Sequence, residues 1–256
     1  MTGLEFMKFD AMMKLNRVGR VVLVGSGKGG VGKTLVACGL GLYLSEAGRS
    51  VGILDADLHG ASVPNYLGLS PPVSSGRRGL TPKESGGVKA MSVALFTGDN
   101  PVPLRGAGKQ GLITELLALT DWGDLDYLIV DLPPSTGDEL LAAFDLFKGK
   151  STLIVVTTPS REAMSVVSRL VRLAKTEGIP IAGAVLNMAF ARTGRARTYP
   201  FGRATPGSVR ARLGTRLIVE VPLDPMVSRV GLKGALGARG EFSDAFKELA
   251  RRTASL

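Results

Sequence analysis

Residues 27–34 read GKGGVGKT and satisfy G-x-x-x-x-G-K-[ST]. They sit between an aliphatic run, Arg20 to Val24 (RVVLV), and a helical stretch, Lys33 to Ala47, which Gly48 closes. Glycines in such a turn let backbone N–H groups face inward around an anion without side-chain obstruction. The helix that begins near Lys33 would add the positive end of its dipole beneath that anion. This strand–turn–helix junction is the context the motif requires, and it confines the chain to an α/β architecture.

The rest of the sequence alternates in the same way. Val51 to Leu54 (VGIL), Tyr127 to Val130 (YLIV), Thr152 to Val156, Ile181 to Leu186 and Leu217 to Val219 read as buried strands. Arg161 to Lys175 reads as a helix between two of them. The expectation is a doubly wound, mostly parallel sheet with helices on both faces. Ser70 to Gly87 and Thr97 to Gly108 are rich in loop-forming residues and read as surface loops. Leu4, Met7, Ala11 and Leu15 share one helical face, so residues 1–19 are expected to form a helical extension to a single domain at 20–256.

No apolar run approaches the roughly 18 residues a membrane span needs. Glu5, Lys8, Asp10 and Lys14 interrupt the only stretch that could serve as a signal core. The one cysteine, Cys38, excludes an internal disulfide, and a cytoplasmic location is expected. The charge is uneven: Glu177 to Glu220 encloses no acid, yet it holds Arg192, Arg195, Arg197, Arg203, Arg210, Arg212 and Arg216. Two readings of that stretch stand open, a solvated basic loop and a specific anion site for phosphates, nucleic acid or an acidic partner.

Acids stand where phosphate chemistry needs them. Asp131 closes the strand DYLIVD, and Asp55 and Asp57 follow the strand after the glycine turn. In an open parallel sheet the carboxyl ends of the strands surround the ligand crevice. From there Asp131 could hold Mg²⁺ with the Thr34 hydroxyl, while Lys33 neutralises terminal phosphate oxygens. Asp55 or Asp57 could orient a water, and Asp55 could equally cap the next turn.

Several motifs together resemble the deviant Walker A ATPases of the MinD/ParA class, in particular the Mrp/ApbC branch. They are VGSGKGGVGKT, LDADLHGASVPNYLG (Leu54 to Gly68), DYLIVDLPPSTGDE (Asp126 to Glu139), VTTPSREA, AVLNM and VPLDP. The resemblance implies an ATP- and Mg²⁺-dependent homodimer. Gly27, Lys28, Gly29, Gly30, Val31, Gly32, Lys33, Thr34 and Leu35 would line the nucleotide, with Asn187, Pro222 and Asp224 near the base. Lys28 would reach the partner subunit's nucleotide, with Lys33 and Asp57 catalytic and Thr34, Asp55 and Asp131 at the metal. The loops Asp55 to Gly68 and Asp131 to Asp138 would be switches that feel the terminal phosphate.

The Mrp branch usually places a C-x-x-C pair after the Asn-Met segment and shares an iron–sulfur cluster through it. Here Asn187 to Gly202 reads NMAFARTGRARTYPFG, without cysteine. The resemblance therefore implies a role with an iron–sulfur client or scaffold protein without the usual cluster ligands. Ala61, Ser135 and Ser160 are smaller departures. The other readings are a positioning ATPase that binds DNA through the Arg192 to Arg216 stretch, or a membrane-cycling one. The latter would use Phe242, Ala245, Phe246 and Leu249, a stripe expected to pack on the sheet instead.

Overall fold

Alternation along one strand shows why this chain layers as it does. In the central strand Val21 and Leu23 enter one apolar cluster and Val22 and Val24 another, all fully buried. Both faces of the sheet are thus covered, as a parallel sheet demands. The computed structural model describes residues 3–96, 109–134, 137–194 and 196–256.

The chain opens with α1 (Gly3–Asn16), β1 (Val18–Ser26), α2 (Lys33–Glu46), β2 (Val51–Asp55) and α3 (Val63–Leu67). Short strands follow: β3 (Ser74–Gly76), β4 (Gly79–Thr81), β5 (Lys83–Ser85) and β6 (Val88–Met91). Next come α4 (Lys109–Leu119), β7 (Leu125–Asp131), α5 (Asp138–Phe147), β8 (Ser151–Thr157) and α6 (Arg161–Thr176). The last part holds β9 (Ile181–Leu186), the hairpin β10 (Ala191–Thr193) and β11 (Ala196–Thr198), α7 (Pro206–Leu213), β12 (Leu217–Glu220), α8 (Met226–Gly237) and α9 (Glu241–Ala254).

The main sheet has the order β12-β9-β8-β1-β7-β2-β6-β5, and every pairing in it is parallel except β5 with β6. Helices α1, α4, α5, α6 and α7 supply one core, and α2, α3, α8 and α9 the other. The doubly wound reading stands. The sequence-read strands keep their places, most of them lengthened by a residue or two at an end.

Ser70 to Gly87 is not the plain loop expected. It contains β3, β4 and β5 and leads into β6, a parallel neighbour of β2. Gly, Ser and Pro dominate that stretch, and strands of three residues are too short to show a period of two. Thr97 to Gly108, Ser135 and Arg195 lie outside the described residues. Ser160, in contrast, has an evident local role, because its hydroxyl accepts the amide of Ala163 and caps α6.

Helix α1 lies against α4 and β1, with Ala11 and Leu15 buried and Phe6, Phe9, Met12 and Met13 exposed. Lys150 Nζ donates to the Leu15 carbonyl at 3.0 Å and so caps the end of that helix. No helix among the described residues is long and apolar enough to cross a membrane.

Helix α9 uses the stripe a membrane-surface role would have needed. Phe242, Ala245, Phe246 and Leu249 are all buried, and the helix packs on α2. Phe246 stacks on Tyr43 at 6.5 Å and meets Phe242 at 5.1 Å. Gly39 on α2 lets that ring approach, since a Cβ there would fall 2.3 Å from it. Phe246→Ala is expected to cost about 3–5 kcal/mol, read as a lower urea midpoint with an unchanged slope.

Candidate active site

The glycine turn leaves β1 at Ser26, whose hydroxyl donates to the Lys28 carbonyl at 3.0 Å. It enters α2 through Gly32, which sits in the left-handed region at φ 80°, ψ 31°. No side chain caps the first amides of α2, which leaves them available to an anion. A Cβ on Gly29 or Gly30 would meet nothing within 4 Å, so the turn is open above its backbone. Beneath it, Asn187 Nδ2 donates to the Val31 carbonyl at 2.8 Å and fastens the loop to the end of β9.

Register brings the acids to the same edge: Val24 of β1 and Asp55 of β2 each pair with Asp131 of β7. Lys33 Nζ donates to Asp131 Oδ1 at 2.8 Å and lies 3.6 Å from Asp57 Oδ2. Thr34 donates its hydroxyl to Asp131 Oδ2 at 2.6 Å and accepts from Ser62 Oγ at 3.1 Å. Asp55 accepts from the Asp57 amide at 3.3 Å, the Val63 amide at 3.2 Å and Ser92 Oγ at 2.9 Å.

Two carboxylates, Asp131 and Asp57, therefore flank one buried lysine, and a third, Asp55, is near enough to feel its charge. Burial pushes the Asp131 carboxyl up, against the pull of Lys33 and Thr34. Burial, then the charge of Asp131, raises Asp55 to about 7, opposed by Ser92 and the Val63 amide. The excess of negative charge at this edge favours an added cation.

The sequence-read residues separate into groups. Gly27 to Thr34, Asp55, Asp57, Asp131 and Asn187 come together around the turn. Lys28 is exposed, with its side chain outside this cluster of bonds. The Leu35 side chain packs into the core, so only its backbone can serve the site. Pro222 is buried, and Asp224 accepts the amide of Met226, the first residue of α8, at 2.8 Å. The segment of those two is bound to the strand beside the turn: the Ala189 amide donates to Val221 and the Val221 amide to Leu186.

Sequence reasoning missed Ser26, Ser62 and Ser92. Ser62 lies within LDADLHGAS and could have been suspected as a hydroxyl near the acids. Ser92 follows β6, itself unrecognised, and carried no signal. His59 reaches Glu139 at 3.4 Å and connects the loop after β2 to the start of α5.

Comparison with known proteins agrees with this geometry. The model of the ParA family, described as NUBPL iron-transfer P-loop NTPase, matches residues 17–254. An iron-sulfur cluster carrier protein from Saccharolobus solfataricus is 36% identical over 228 residues, 87% of this chain and 77% of that protein. One from Aquifex aeolicus is 36% identical over 228 residues, 86% of this chain and 62% of its own length. The chloroplastic Fe-S cluster assembly factor HCF101 of Oryza sativa is 34% identical over 245 residues, 92% of this chain and 45% of its own. The chain thus spans less than two thirds of the latter two.

A nucleotide-binding protein from Archaeoglobus fulgidus, solved in complex with ADP, superposes with a TM-score of 0.79 at 31% identity, over 93% of this chain and 96% of that one. The cell division ATPase MinD of Pyrococcus furiosus superposes at 0.69 with 22% identity, over 93% of this chain and 99% of that one, and shares the fold alone. With a glycine turn opening α2 and a lysine–threonine–aspartate cluster at its foot, the chain belongs to the ParA family of NUBPL-type iron-transfer P-loop NTPases.

Proposed function

We propose that this chain is a Mg²⁺-dependent ATPase that works as a cytoplasmic homodimeric switch in iron–sulfur protein assembly. In this reading residues 20–256 form one ATPase domain and residues 1–19 its helical extension. The observation that carries it is the cluster of Lys33, Thr34 and Asp131 below an open glycine turn. Backbone amides of Gly27 to Leu35 hold the phosphates, and Lys33 neutralises their terminal oxygens. Asn187 keeps the turn in shape through Val31, and the segment with Pro222 and Asp224 borders the base.

The residues fit magnesium. A threonine hydroxyl and a buried aspartate lie 2.6 Å apart at an edge with surplus negative charge. Thr34, Asp131 and Asp55 are the residues that would hold the ion, whose chemistry there would be to offset the negative charge of the phosphates. Asp57 orients the attacking water beside Lys33.

An iron–sulfur cluster finds no such fit. The one cysteine of these 256 residues, Cys38, is fully buried in α2, and burial pushes its thiol well up. Thiolates are the usual ligands of such clusters. The cluster is therefore the cargo of a client or scaffold protein that this ATPase serves, and no step passes through Cys38.

Lys28, exposed at the rim, supplies a second cation to the partner subunit's nucleotide when two copies close. Lys28→Ala is expected to leave ATP affinity within about threefold and to lower turnover about a hundredfold, the usual scale for such a cation. Calorimetry and phosphate release with magnesium present read the two effects. Turnover at the wild-type rate would remove the shared site.

A further inference from the structure

The acid-free stretch places its hairpin, β10–β11, directly after Asn187 and the end of β9. Its root is fixed, since the Leu223 amide donates to the Phe190 carbonyl at 2.7 Å. Two of its guanidinium groups converge on a single carboxylate from the start of α9. Arg192 donates to Glu241 through Nε at 2.6 Å and Nη2 at 2.9 Å, and Arg197 donates to the same carboxylate. The arrangement stays in contact with solvent, Arg192 being 49% exposed, Arg197 44% and Glu241 31%.

Aromatic rings hold the neighbouring cations. Arg197 lies 4.1 Å over the Phe190 ring and Arg203 3.9 Å over Tyr199. Stacking fixes the plane of a guanidinium while its N–H edge remains able to grip a carboxylate. Phe201, two residues before Arg203 in the chain, is 40% exposed.

We propose that this hairpin is a docking surface for an acidic segment of a partner protein, and that Glu241 is a built-in competitor occupying its arginine fork. Three observations favour a peptide carboxylate over a nucleic-acid backbone. The fork already grips a carboxylate through two N–H groups of Arg192. The cations it offers are grouped on one short hairpin and the turn after it, whereas a duplex presents phosphates at regular spacing over a long track. Phe201 adds an apolar contact suited to a protein side chain. Glu241, held at about 2 by the two arginines, stays ionised throughout the physiological range and so always competes. The surface does not depend on nucleotide, so its failure would leave the ATPase reading intact.

The test uses the full chain without nucleotide, with fluorescent octaglutamate and a fluorescent duplex DNA as probes, followed by anisotropy over a salt series. Glu241→Gln is expected to tighten the peptide about three- to tenfold, because it frees charge-assisted donors. Glu248→Gln makes the same charge change on α9, where Glu248 pairs with Arg251 and Arg252, and is expected to leave the affinity alone. Arg203→Ala should weaken the peptide about threefold with an unchanged melting curve. Equal tightening by the two glutamine variants, no tightening by Glu241→Gln, or binding of neither probe would each overturn the proposal. Retention of the duplex without the peptide would reassign the hairpin to nucleic acid.

Discussion

Lys33→Ala is expected to weaken nucleotide binding on the order of a hundredfold, about 2.7 kcal/mol, and to destabilise the fold as well. The two losses have different sources. Affinity falls because the terminal phosphate loses its buried cation. Stability falls because Asp131, with no exposed surface, keeps its position without its 2.8 Å partner. Breaking a buried pair from one side costs about 3–5 kcal/mol, more than the pair contributes when intact.

A second variant separates the effects. Lys33→Met with Asp131→Asn replaces both charges by neutral groups, so most of the lost melting temperature should return, while calorimetry should still show no tight binding. If the double variant melts as low as the single one, the buried charge is not the cause. If either variant binds ATP at the wild-type level, the glycine turn is not a phosphate site.

Gly32→Ala is expected to cost about 2–5 kcal/mol and to abolish nucleotide binding. The left-handed backbone at φ 80° disfavours any side chain, and the new Cβ would fall 2.1 Å from Asn187 Nδ2. Asn187 must then leave the Val31 carbonyl, so the clash also loosens the turn that holds the phosphates. At about 2–4 °C per kcal/mol for a chain near this size, the melting temperature should drop by several degrees or more. Adding Asn187→Ala removes the clash but not the strained backbone, and only part of the loss should return. Complete recovery would show that the backbone angle carries no cost.

How far the sequence disclosed this site depended on whether a residue's role is local. The turn and its flanking strand and helix were legible because glycine spacing, a lysine and a threonine encode them within a dozen positions. Asp131 was legible because it closes a continuous buried strand. Ser92 was not, since its contact with Asp55 comes from strand pairing across 37 positions of chain. The sheet order that places β7 between β1 and β2 is likewise absent from any local pattern. Asp224 lies between these cases: its place in VPLDP pointed to the nucleotide, while the bond its carboxylate takes from the Met226 amide at the start of α8 has no signature in the sequence.

One side chain fastens both ends of the loop after β2. Asp55 takes the Asp57 amide on one oxygen and the Val63 amide on the other. The residues between are therefore a noose closed at its base, further tied to α2 through Asp57 and Ser62, and they cannot swing as an arm hinged at one end. Displacement has to arise as a bulge in the middle, where His59 touches α5. A message from the phosphates would thus leave the sheet sideways, toward the helix beyond β7, while α3 stays tied in place.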